Sequence, residues 1–108
     1  MNNFEATLLV TPDITKDNLN KIAENFENSI VEQGGSVVAK EDCGLKSLAY
    51  KIKNLKKAFY LFYQIEILGD KIQSIKKNLS INESIIRHLL IKVDKHDELP
   101  TKLLESNE

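Results

Sequence analysis

At 108 residues the chain has room for a single small domain around one core. Its apolar fraction of 42% and charged fraction of 29% are those of a globular protein and exclude global disorder. The lone cysteine, Cys43, excludes an internal disulfide and fits a reducing cytoplasm. Met1 to Thr7 lack the basic segment and apolar run of a secretory signal. No stretch nears the roughly 20 apolar residues of a membrane span, so the expectation is a soluble, cytoplasmic protein.

The net charge of −1 conceals segregation. Residues 1–39 carry Glu5, Asp13, Asp17, Glu24, Glu27 and Glu32 against Lys16 and Lys21. Residues 40–57 reverse the balance, with Lys40, Lys46, Lys51, Lys53, Lys56 and Lys57 against Glu41 and Asp42. Residues 58–93 are mildly basic and 94–108 are acidic. A basic middle in a neutral chain is the footprint of a polyanion site. It is equally the pattern of a solvated, lysine-protected edge hairpin.

Along the chain, Phe4 to Val10 alternates as a strand and Thr11-Pro12-Asp13 ends it, because proline cannot donate to a ladder. Thr15 is placed to cap a helix whose stripe is Leu19, Ile22, Ala23, Phe26 and Ile30, and Gly34-Gly35 supplies its exit. Ser36 to Lys53 reads as strand. Val37 and Ala39 share one parity whereas Leu48, Tyr50 and Ile52 share the other, which requires a register change and points to a bulge at Gly44. Asn54 to Lys57 reads as a polar hairpin turn.

Ala58 to Ile67 then forms a strand with Phe59, Leu61, Tyr63, Ile65 and Ile67 on one face and Tyr60, Phe62, Gln64 and Glu66 on the other. Gly69-Asp70 opens a second helix striped by Ile72, Ile75 and Leu79, with Asp70 and Gln73 at capping-box spacing. Asn82 marks a turn before a last strand, Ile85 to Val93. Domain 1–93 is thus followed by an acidic segment, 94–108, expected to be a mobile tail. The order βαββαβ predicts an α+β, ferredoxin-like split βαβ fold: a four-stranded antiparallel sheet with two helices on one face. The other face stays open, carries Tyr60 and Phe62, and invites a partner.

Chemistry-bearing residues are sparse. His88 lies in an apolar strand, His96 in the tail, and Cys43 and Ser47 near the basic strand, with no nucleophile–base–orienter pattern and no phosphate loop. No catalytic residue, metal ligand, cofactor or small-molecule substrate is expected, and no membrane partner. The lysines carry more information, because Lys51 and Lys53 emerge opposite Tyr50 and Ile52 while Lys56 and Lys57 flank the turn. Such cations suit phosphate docking better than base readout. Lys57 to Tyr63 partly resembles the aromatic motif of RNA-recognition-motif domains, but Tyr60 stands where a small residue belongs and Leu61 where an aromatic does.

Gly44-Leu-Lys-Ser-Leu-Ala-Tyr-Lys-Ile-Lys53 resembles the signature of bacterial small-subunit ribosomal protein six, a glycine and basic residues followed by Leu-Ala-Tyr-x-Ile. Further matches are Phe4-Glu5, Pro12, Phe59-Tyr60 to Glu66, and Asn82 to Arg87, so the likeness spans about residues 3 to 93. It implies a structural protein of the ribosome with the ferredoxin-like fold. It further implies binding to the central domain of small-subunit (16S) ribosomal RNA together with small-subunit ribosomal protein eighteen. Lys46 stands in the signature's basic position, Lys53 just after it, and Arg87 at a basic position before the last strand. Ser47 and Lys51 depart from the common pattern, which often has a basic or long polar residue and a proline there. The expected RNA contacts are Lys46, Lys51, Lys53, Lys56, Lys57 and Arg87; the expected protein contacts are Tyr60 and Phe62. The readings from other classes are a small regulatory or ligand-binding domain of the same fold, and a single-stranded RNA binder.

Overall fold

The computed structural model describes residues 2–52 and 54–94, with side chains throughout except at residues 49–52. Lys53, His96 and the rest of segment 95–108 lie outside the described residues, so the expectations for Lys53, for His96 and for the tail are not addressed by it. The elements follow the predicted order: β1 (Asn2–Val10), α1 (Lys16–Glu32), β2 (Ser36–Ile52), β3 (Leu55–Ile67), α2 (Ile72–Ser80) and β4 (Ile85–Val93). The strands form one antiparallel sheet in the order β2-β3-β1-β4. The α+β fold expected from the pattern is therefore the observed one.

Helix α1 begins where Thr15 stays extended and its hydroxyl accepts from the Asn18 N–H at 3.2 Å. It ends where Gly34, at φ +82°, lets its own N–H reach the Val31 carbonyl and the Gly35 N–H reach that of Ile30, at 3.0 and 2.9 Å. Gly35 is needed for a different reason: a Cβ there would stand 2.6 Å from the Glu66 carbonyl oxygen, so only glycine lets the helix exit pass β3.

Helix α2 departs from its expected start. A 3-10 turn, Gly69–Lys71, precedes it, the extended residue is Leu68, and no side chain caps the end. The Asp70–Gln73 capping box is thus not formed, because Asp70 is already inside the turn and cannot adopt the extended cap conformation. The hairpin turn is also tighter than expected. Ile52 pairs with Leu55, Asn54 takes φ +66°, and Lys56 and Lys57 belong to β3.

Both helices lie on one face of the sheet. The core there joins Phe4, Ala6, Leu8 and Val10 of β1 and Leu61, Tyr63, Ile65 and Ile67 of β3 to the predicted stripes of α1 and α2. Inside this layer Phe26 and Tyr63 meet at a ring separation of 4.8 Å. The Tyr63 hydroxyl donates to Glu27 Oε2 at 3.1 Å, and the Lys40 ammonium contacts the same oxygen at 3.1 Å. This network ties α1 to β2 and β3. Burial, first, and the Glu27 carboxylate push the Tyr63 phenol well above its ordinary range, so its proton stays on the hydroxyl as the donor.

Candidate nucleic-acid interface

Antiparallel partners share a face, so the ladder registers lay out the open side of the sheet row by row. One row runs Gly44–Tyr60–Leu9–Arg87, the next Glu41–Phe62–Thr7–Leu89, and the next Ala39–Gln64–Glu5–Ile91. Beyond the first row, toward the hairpin, Lys46 pairs with Ala58. Lys56 shares the parity of Ala58, and Lys57 takes the opposite one.

Two bulges decide which charges reach this face. Ile85 pairs with Val10 and Arg87 with Leu9, so the register shifts by one and Ile86 is the extra residue. Without the shift Arg87 would share the face of Ile85, which is buried in the helix-side core. The bulge therefore turns Arg87 out onto the open face, where it is exposed. On β2 the register shifts between Asp42 and Gly44, with Gly44 at φ +73° and its N–H donating to Asp42 Oδ1 at 2.9 Å. The bulge expected at Gly44 is present, and further shifts lie between Val37 and Ala39 and between Ser47 and Ile52. The shifts at Val37/Ala39 and at Gly44 together bring Lys46 to the open face, but they do not gather the apolar residues of β2 on one side as expected. Val37 packs in the helix-side core, Ala39 faces the open side, and Leu48 packs with Leu9 and Tyr60 there.

The structure thus places Lys46, Lys56 and Arg87 around one end of the open face, the hairpin end. Lys46 is half-buried, and the other two are exposed. Lys46 and Arg87 stand about 16 Å apart, from three strand spacings and two residues along the ladder. Lys57 is exposed on the same stretch of β3 but leaves from the other side. Lys51 lies on β2, and its side chain is outside the described residues.

Tyr60 and Phe62 have the predicted parity but not the exposure an open face suggested: they are 7% and 4% exposed. Tyr60 belongs to a second small core with Leu9 and Ala58, against which Cys43, Leu48 and Ile86 pack. Burial accordingly raises the Tyr60 phenol above its ordinary value, and burial followed by the Glu41 and Asp42 carboxylates does the same for the Cys43 thiol. The shift favours the thiol over the nucleophilic thiolate at Cys43. His88 has the opposite parity, pairing with Leu8 on the helix side, and burial together with Lys76 lowers its pKa. Among the described residues no group of three or more His, Cys, Asp or Glu side chains could hold a metal ion, and no helix is long and apolar enough to cross a membrane.

The apolar groups presented to solvent on the open face lie elsewhere, on edge strand β4, where Leu89 is 43% and Ile91 56% exposed. The sequence hides them because Ile85 to Ile91 is apolar on both parities, so alternation cannot tell the faces apart. The same half of the face carries Glu5, Glu41 and Glu66. Its charge is therefore polarised, with cations at the hairpin end and carboxylates with apolar side chains at the other.

Residues 3–92 match the family model described as Ribosomal protein S6. The chain is 34% identical over 106 residues to the small ribosomal subunit protein bS6 of Rickettsia felis, covering 98% of this chain and 88% of that protein. It is 33% identical over 96 residues to the protein of the same name from Christiangramia forsetii, covering 89% and 86% of the two. A crystal structure of 30S ribosomal protein S6 from Thermotoga maritima superposes with a TM-score of 0.82 at 19% identity, over 85% of this chain and 87% of that one, which speaks to the fold. Signature, strand order and sequence similarity agree, and the chain belongs to the ribosomal protein S6 family.

Proposed function

We propose that this chain, a structural and non-enzymatic protein of the small ribosomal subunit, acts by docking two unlike partners on the two ends of one open sheet face. The hairpin end, with Lys46, Lys56 and Arg87 on this face, Lys57 on the opposite side of the same hairpin, and Lys51 and Lys53 from the adjoining segment, neutralises phosphates in the central domain of 16S ribosomal RNA. The other end, with Leu89 and Ile91 exposed above a floor that includes Phe62, receives small-subunit ribosomal protein eighteen, and Tyr60 supports the boundary between them. The observation that carries this reading is the polarised charge of the open face: a polyanion is attracted to one half and repelled by the other.

Base stacking is disfavoured by the same geometry. A ring that is 4% or 7% exposed offers too little surface to a base. The test is a salt titration of RNA binding, with the partner protein present, for a variant carrying Lys51→Ala, Lys53→Ala, Lys56→Ala and Lys57→Ala. Each lost phosphate contact should flatten the logarithmic salt slope by about one unit. A slope and affinity equal to those of the parent chain would remove the hairpin from the RNA footprint.

A further inference from the structure

The open face contains one polar atom that the fold leaves unserved. Oε1 of Glu41 is buried and has no hydrogen-bond partner, although the rest of the side chain is only half-buried. Buried polar atoms are almost always paired, and a carboxylate oxygen is among the most costly to leave bare. Among the described residues the surroundings supply no cation. Lys40, the preceding residue, points to the helix side and is held by Glu27. Lys46 lies beyond the Tyr60 row, toward the hairpin. The neighbouring charged residues on this half of the face are Glu5 and Glu66. Glu41 itself pairs with Phe62, in the row that ends at exposed Leu89.

We propose that Glu41 Oε1 is the seat of a single arginine or lysine side chain from the protein that covers this half of the face. The inference rests on the reading that a protein docks there. The apolar residues supply area, whereas the carboxylate supplies choice: a partner presenting a cation completes the buried pair, and one presenting an apolar or acidic group leaves it bare or repelled. The occupant is thus a basic segment, and the partner's side chain satisfies an atom that costs stability in the free chain.

This arrangement has a signature that an ordinary structural carboxylate lacks. In the free chain, Glu41→Leu and Glu41→Gln should leave the melting temperature equal or higher, since each removes a carboxylate oxygen that is buried without a partner. Both should weaken binding of the partner protein, by about 30-fold or more for Glu41→Leu, the loss typical of truncating one member of a buried charge pair. Glu41→Lys should weaken it further, and substituting glutamate for the matching arginine or lysine of the partner should restore it. Leu89→Ser with Ile91→Ser serves as the companion variant. If that pair leaves partner affinity unchanged, the docking face itself is wrong. If it weakens binding while Glu41→Leu and Glu41→Gln do not, the face stands and the Glu41 seat is overturned. A lowered melting temperature for both Glu41 variants would equally overturn it, by making the carboxylate part of the chain's own stability. Loss of self-association by the free chain, with partner affinity intact, would assign the face to a second copy and overturn it as well.

Discussion

At the scale of single residues, the informative side chains are those whose surroundings change their chemistry. His88 is the clearest case for measurement. It pairs with Leu8 in the helix-side layer, and burial and then Lys76 hold its pKa below the ordinary 6.5. The folded state therefore binds fewer protons than the unfolded chain once the pH falls to that value, and stability must drop as pH is lowered through it toward the folded pKa. Above that window the neutral ring costs nothing extra. Urea unfolding from pH 7.5 down to pH 5 should show this decline, and His88→Gln should flatten it while leaving stability at pH 7.5 nearly unchanged. A parallel decline in both proteins would mean that other groups cause it. The Tyr63–Glu27–Lys40 network illustrates the contrasting case. Its carboxylate is served by two donors and its tyrosine is fixed as a donor, whereas Glu41, on the other face of the same strand, has an oxygen with none.

At the scale of elements, what could be read from the sequence was whatever periodicity and special residues encode. Leu19, Ile22, Phe26 and Ile30 gave α1 its stripe, Thr15 its start and Gly34 its left-handed exit, all as the structure has them. Gly44 marks a bulge, although the two apolar segments it was expected to align end on opposite faces, Val37 in the helix-side core and Leu48 against Tyr60 and Leu9. The bulge at Ile86 left no such trace, since Ile85 and Ile86 are both apolar and either can face the core. Yet it is this bulge that turns Arg87 to the open face. Parity also fixes a face without fixing depth: alternation puts Tyr60 and Phe62 on the open side, where both are buried, Tyr60 by the packing of Leu9, Ala58 and their neighbours. Their burial changes what substitution should do. Tyr60→Ala and Phe62→Ala each remove a buried ring, and each should cost about 3–5 kcal/mol of folding stability. Stacking on RNA would instead cost about 1–3 kcal/mol of affinity with stability preserved. Thermal unfolding beside binding to single-stranded RNA separates the two, and preserved stability with a selective loss of RNA affinity would favour the base-stacking reading.

At the scale of the molecule, the polarised face links the two proposed partners energetically. The rows holding Glu41 and Glu5 lie about 7 and 14 Å along the strands from the row that holds Arg87, at 3.4 Å per residue. With the spacing between strands added, both carboxylates stand about 14–16 Å from Arg87, roughly two Debye lengths of about 8 Å at physiological salt, so an RNA held at the hairpin end feels a screened repulsion from the carboxylates behind it. A single small module with few cations binds folded RNA weakly in any case. A basic protein covering the carboxylates removes that repulsion and adds cations of its own. RNA affinity should therefore rise when the partner is present, by the roughly 5- to 150-fold typical of coupled sites. Linkage makes the effect reciprocal, so RNA must raise the affinity between the two proteins by the same factor. Because part of the coupling is electrostatic, the factor should shrink as salt is raised. The check is a closed cycle of titrations at two salt concentrations: chain with RNA, chain with partner, and each in the presence of the third component. Affinity for RNA that is the same with and without the partner would sink the idea that the pair is the binding unit. A large factor that is indifferent to salt would locate the coupling in RNA or partner folding, not in the charge arrangement of this face.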